Sequence, residues 1–203
     1  MSDRVMGDEI EGMIRLIGPG GAGKTTVGAA LADRLAVPFI DLDAEFTARY
    51  GDISASLAAH GYDAYAGQNV ALCSALADGP DRPAVIALSS GFMTYRDDVH
   101  PGYIRLREHI ARSEQTFVLL PSLDLETCVA ETVRRQLRRP FARTAEREEQ
   151  VIRGRFSSHA SLPARKVETM RPVDAVVAEL LSMLRGGGRF GAPRAAAGLG
   201  ETA

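Results

Sequence analysis

Short apolar runs alternate with longer amphipathic stretches from Met13 onward. The runs at 13–17, 38–42, 84–88 and 116–120, with a weaker one at 166–169, have the length and β-branched content of strands buried on both faces. The intervening stretches at 25–35, 44–59, 67–76, 103–112, 125–137, 147–161 and 173–184 carry apolar residues at helical spacing. In the first of these, Val27, Ala30, Leu31 and Leu35 fall on one face, as a helix lying against a sheet requires. Strands separated by helices predict an α/β chain with a parallel sheet covered on both sides. Residues 1–12 are polar and acidic without periodicity and are expected to form a loose leader. Residues 186–203, rich in Gly, Ala and Pro, are expected to be a disordered tail. That leaves 13–185 as a single domain.

Composition narrows the function classes. The 203 residues are 45% hydrophobic and 25% charged, an ordinary globular balance. A net charge of -2 gives no basic field for nucleic acid, so phosphorylation of nucleic-acid ends is disfavoured. The cluster Arg134, Arg135, Arg138 and Arg139 suits a small anion equally well. Cys73 and Cys128 fit neither a metal-ligand spacing nor a disulfide framework and read as core fillers. No apolar run approaches the ~20 residues of a membrane span. A monomeric cytoplasmic enzyme or binding protein acting on small molecules is expected, with no nucleic acid or membrane as partner.

The chemistry begins at GPGGAGKT, residues 18–25, between the first strand and the first helix. The pattern GxxxxGK[ST] lets backbone N–H groups turn onto phosphates beside a helix N-terminus. Gly20, Gly21, Ala22, Gly23 and Thr26 would line that cradle, Lys24 would reach the β- and γ-phosphates, and the Thr25 hydroxyl would ligate Mg²⁺. A GTPase would add a DxxG switch and an NKxD base reader, which are absent. A motor ATPase would end a strand in an acid, where the run 84–88 is followed by Ser89 and Ser90. Asp41 and Asp43, in PFIDLD, alternate along the second strand and are expected on one side of its end. There one could hold a Mg²⁺-bound water and the other orient or deprotonate an acceptor hydroxyl. Alternatively, the pair caps the helix that follows.

At this point a family comes into view. Residues 18–61, with GKTTVG, the DLD pair and the spacing from Gly51 to Gly61, resemble the opening of a shikimate kinase. RRPF at 138–141 is similar to that family's lid, with Arg139 matching the arginine that closes over the phosphates. RGRFSSH at 153–159 resembles the helix whose arginine grips the substrate carboxylate, the match being Arg155. VETMRPVDAVV at 167–177 resembles the adenine loop, with Arg171 and Pro172 beside the base. The resemblance implies a three-layer P-loop fold around a five-stranded parallel sheet, a mobile lid at about 134–150, and MgATP-dependent phosphorylation of a hydroxyl on a small metabolite. Lys24, Asp43 and Arg139 would be catalytic, Thr25 and Asp41 would hold the metal, and Asp43, Arg155 and Gly91 would face the acceptor.

Departures gather on the acceptor side. Tyr65 and Ala66 stand where the family carries Phe-Arg, and Ser89, Ser90 and Gly91 replace its Gly-Gly-Gly floor. Three readings stay open at this level: an ordinary shikimate kinase compensated by Arg49, Arg96 or Arg155; a related kinase with a rebuilt acceptor pocket; and a nucleotide-binding protein of the same fold without kinase activity. Tyr62 and Tyr65 are candidates for the pocket wall. His159 reads as a cap or surface residue, and the acidic run 146–150 as a solvated first turn.

Overall fold

In a computed structural model, residues 12–77, 83–138 and 144–186 are described. The expected leader, Arg139 and Phe141 of the expected lid, and the tail from residue 187 lie outside the described residues. The elements run β1 (Met13–Ile17), α1 (Lys24–Leu35), β2 (Phe39–Asp41), α2 (Leu42–Tyr50), α3 (Ile53–Ala77), β3 (Ala84–Ala87), a 3-10 turn (Phe92–Thr94), α4 (Tyr103–Arg112), β4 (Thr116–Leu120), α5 (Leu125–Gln136), α6 (Ala145–Ala160), β5 (Arg165–Glu168) and α7 (Val173–Gly186). The five strands form one sheet in the order β2-β3-β1-β4-β5, and every pairing is parallel. The α/β sheet expected from the sequence is what forms.

Period-two alternation distributes the core. Phe117 and Leu119 of β4 face one side with Ile14, Leu16 and Val85, where α1 and α7 cover them through Leu31, Val176 and Leu180. Val118 and Leu120 face the other side with Ile86, Phe46, Val70 and Tyr103. Leu31 is fully buried, and removing such a side chain from water contributes about 1.5–3 kcal/mol. Both cysteines are free and lie inside the core. Among the described residues no helix is long and apolar enough to cross a membrane.

Two boundaries differ from expectation, each for a backbone reason. The helix expected over 44–59 is cut at Gly51, whose φ of 88° no helix accommodates. Asp52 then caps the next helix by accepting from Ala55 N at 2.8 Å. Residues 62–66, expected as a connection, are helical. Gly61 takes the single non-helical conformation inside α3 (φ 79°, ψ 172°), so the chain turns at one residue and resumes at Tyr62.

Candidate active site

The phosphate loop is shaped by its neighbours. Gly18 has φ 141°, and a Cβ there would lie 2.2 Å from the Leu119 carbonyl oxygen, so any side chain would drive β1 off β4. Gly23 caps α1 from the left-handed region at φ 92°, which points the first turn of the helix back at the loop. Lys24 folds over the same loop, its Nζ donating to the Gly18 carbonyl at 2.7 Å and to the Pro19 carbonyl at 3.0 Å. Gly20, Gly21, Gly23, Lys24, Thr25 and Thr26 line one wall of a cleft whose opposite wall carries Asp41, Asp43 and Ser90. Ala22 is buried beneath that wall.

The aspartate pair is not arranged as two alternating strand positions. Only Asp41 belongs to β2, while Asp43 sits in the first turn of α2. The chain turns because Asp41 caps that helix, its Oδ1 accepting from Asp43 N at 3.0 Å and Ala44 N at 3.3 Å. Its other oxygen, Oδ2, accepts from the Thr25 hydroxyl at 2.8 Å. One carboxylate thus caps the helix, as one of the two readings expected, and also bonds the phosphate-loop threonine. Among the described residues no cluster of three His, Cys, Asp or Glu could enclose a metal. A hydroxyl beside a single carboxylate nevertheless fits Mg²⁺, which keeps several waters and takes its remaining ligands from phosphate.

The groups around Asp43 come from the middle of α3 and the turn after β3. Ser89 donates to Asp43 Oδ1 at 2.5 Å, Tyr65 donates to the same oxygen at 3.3 Å, and the buried Asn69 amide donates to Ser89 at 2.8 Å. Gly91 lies under Tyr62 and Arg155. A Cβ on it would stand 2.3 Å from the Tyr62 hydroxyl and 3.3 Å from an Arg155 nitrogen, so a side chain here would push those two side-chain tips aside. Arg155 donates to the Tyr62 hydroxyl at 3.1 Å. Ala66 is fully buried in the core. Of the two other arginines considered as substitutes, Arg49 lies over the Tyr50 ring in a groove between α2 and α3. Arg96 is bound to Asp98 and Asp63.

His159 is not the cap or surface residue expected. It is 1% exposed on the inner face of α6, and Glu148 of the acidic run is likewise buried, because positions 148, 152 and 159 share the face that packs inward. His159 Nδ1 lies 2.9 Å from the Arg155 carbonyl oxygen, which only accepts, so Nδ1 carries the proton. Burial first, and the charges of Lys24 and Arg155 after it, bring the imidazole down to about 4 against a hydrogen bond that raises it. The sign follows. Between pH ~6.5 and ~4 the unfolded chain binds the proton and the folded one does not, so stability falls on acidification through that window. The expected loss is about 3 kcal/mol, read as a pH-dependent drop in the denaturation midpoint that His159→Gln flattens.

Arg135 and Gln136 were not candidates in the sequence, whereas Arg171 was. Arg135 ties the phosphate loop to the segment after β5, donating to the Gly21 carbonyl and the Thr169 hydroxyl, each at 3.2 Å, and to the Thr169 carbonyl at 3.0 Å. Thr169 in turn donates to the Ala22 carbonyl at 2.8 Å. Gln136 lies across the loop, its Nε2 2.4 Å from where a Gly20 Cβ would stand. Arg171 is held by the Glu168 carbonyl and the Glu179 carboxylate on the exposed β5–α7 connection, next to Pro172. The basic cluster around 134–139 was the only sequence signal for Arg135.

Comparison with known proteins follows this geometry. The shikimate kinase family model matches residues 20–185. A shikimate kinase of Bradyrhizobium diazoefficiens is 31% identical over 179 residues, 85% of this chain and 79% of the relative. One from Thermobifida fusca is 45% identical over 78 residues, 37% of this chain, and the match spans 44% of that relative, under half its length. Among solved structures, the shikimate kinase from Acinetobacter baumannii in complex with shikimate superposes with a TM-score of 0.69 at 23% identity. That match covers 89% of this chain and 96% of the other, a likeness of fold.

Proposed function

The chain belongs to the shikimate kinase family, and from that premise we propose that it transfers the γ-phosphoryl group of MgATP to a hydroxyl of a small metabolite, with shikimate the first acceptor to test. The observation that carries this reading is the pairing across one cleft of a phosphate loop with two aspartates, one bonded to Thr25 and the other turned to the acceptor side. The loop amides and Lys24 would bind and orient the triphosphate, and Thr25 and Asp41 would hold Mg²⁺. When bound, the ion neutralises charge between the β- and γ-phosphates. Asp43 would align the acceptor hydroxyl with the γ-phosphorus and accept its proton. Arg139 would close over the phosphates, and Arg171 and Pro172 would flank the adenine.

Arg155 would take an acidic group of the acceptor. Shikimate offers one carboxylate for it and hydroxyls for Asp43, and the A. baumannii relative was solved with shikimate bound. One chain supplies every group named, which supports a monomer, and the use of ATP is consistent with a cytoplasmic enzyme. The test is ADP release from MgATP with and without shikimate, beside a panel of hydroxylated acids, sugars and amino alcohols. Acceptor-dependent release is expected. Binding of ATP with no acceptor stimulating release would overturn the proposal.

A further inference from the structure

Asp43 receives two hydroxyls, and both land on the same oxygen. Ser89 and Tyr65 donate to Oδ1, and neither bond involves Oδ2. Behind them lies Asn69, fully buried, whose Nδ2 donates to Ser89 Oγ at 2.8 Å and to Tyr95 Oη at 3.0 Å. An amide nitrogen only donates and a carboxylate only accepts, so the directions are forced. The Ser89 proton, displaced by the amide, goes to Asp43. Tyr65 sends its own proton to the same oxygen.

One arm therefore runs from the amide through Ser89 to Asp43, and Tyr65 is a second arm that ends on the same oxygen without reaching the amide. Burial, reinforced by the charge of Asp43, pushes the Tyr65 phenol up to about 12, and burial raises Tyr95 further, so both remain donors. Asn69 Oδ1 is buried without a partner. The amide tolerates that destabilising feature while keeping both N–H groups on the two hydroxyls.

We propose that Asn69, acting through Ser89, is a positioning residue for the acceptor: together with Tyr65 the relay occupies Asp43 Oδ1 from inside the fold and leaves Oδ2 for a single hydroxyl of the incoming alcohol. This rests on Asp43 being the carboxylate that addresses the acceptor. An alcohol that engages both carboxylate oxygens would have to displace Ser89, so the site favours acceptors that present one hydroxyl at this point. Alignment of the nucleophile then depends on a neutral network, which involves neither Arg155 nor the nucleotide wall.

The experiment uses Ser89→Ala and Tyr65→Phe, each of which deletes one arm and leaves Asn69 in place. With shikimate and MgATP, each should lower kcat/KM for shikimate about tenfold, with KM for ATP unchanged. In an Asp43→Ala background, which leaves Ser89 nothing to hold, Ser89→Ala should change nothing further beyond about twofold. An equal fall in both backgrounds, or no fall in either, overturns the proposal. High-resolution crystal structures of the wild type and Ser89→Ala give a reading independent of turnover. The relay requires one Asp43 rotamer in the first and a released carboxylate in the second, and an unmoved Asp43 overturns it. Wild-type protein that turns over no acceptor would sink the phosphotransfer reading, and the two crystal structures would still decide the relay.

Discussion

Lys24→Ala is expected to lower turnover by about 10³-fold while leaving the folded protein almost as stable as before. The size follows from the charge: a cation held against the β- and γ-phosphates strengthens its interaction as charge shifts toward the leaving oxygen, and losing one such donor costs about 3–4 kcal/mol of barrier. The small stability effect follows from the structure. Lys24 Nζ bonds two loop carbonyls, Gly18 and Pro19, from a half-buried position, and water replaces such bonds at little net cost. The thermal midpoint should move by under about 5 °C. The assay is ADP release with saturating shikimate beside a thermal melt. A variant that keeps a tenth of wild-type turnover would remove the triphosphate-binding role from this loop.

Asp43→Asn is expected to lower kcat by about 10²–10⁴-fold with the affinity for ADP unchanged. The amide keeps the size of the carboxylate and still accepts through one oxygen, so Ser89 and Tyr65 retain a partner. What is lost is the negative charge that aligns the acceptor hydroxyl and takes its proton. Asp43 contributes to the first turn of α2 as an acidic residue, a helix-terminus effect of about 0.3–1 kcal/mol, so the fold survives the change. Calorimetry with ADP and Mg²⁺, run beside the kinetic assay, separates the two walls of the cleft. A parallel loss of nucleotide affinity would mean that Asp43 belongs to the metal side instead.

The sheet and the phosphate loop were legible because their signals are local. β4 reads TFVLL and is buried at every position, and the loop is a contiguous motif between a strand and a helix. The turn at Asp41 was not, since DLD satisfies strand alternation until the side chain of Asp41 captures the amides of Asp43 and Ala44. The break at Gly51 was hidden because helical apolar spacing runs across it through Phe46, Ile53 and Leu57, and the regular helix after Gly61 by the glycine itself. The acceptor side was the least legible part. Asn69 and Ser89 are 20 residues apart, Ser89 and Asp43 are 46, and no spacing rule links a serine on one loop to a helix turn that only the sheet brings beside it. His159 was misread for a related reason: a lone imidazole in a polar stretch gives no hint that its helix turns it inward.

The single non-helical residue at Gly61 divides the pocket into two modules. The phosphate loop and Asp41 come from the segments around β1 and β2, whereas Tyr62, Tyr65 and Asn69 follow the break at intervals of three and four on one side of the resumed helix. Replacing that half-helix together with the turn after β3 would exchange acceptor preference as a cassette and leave the energy-donor half intact. Inserting or deleting one residue just past Gly61 would rotate all three side chains by about 100° and blank the selectivity at a stroke.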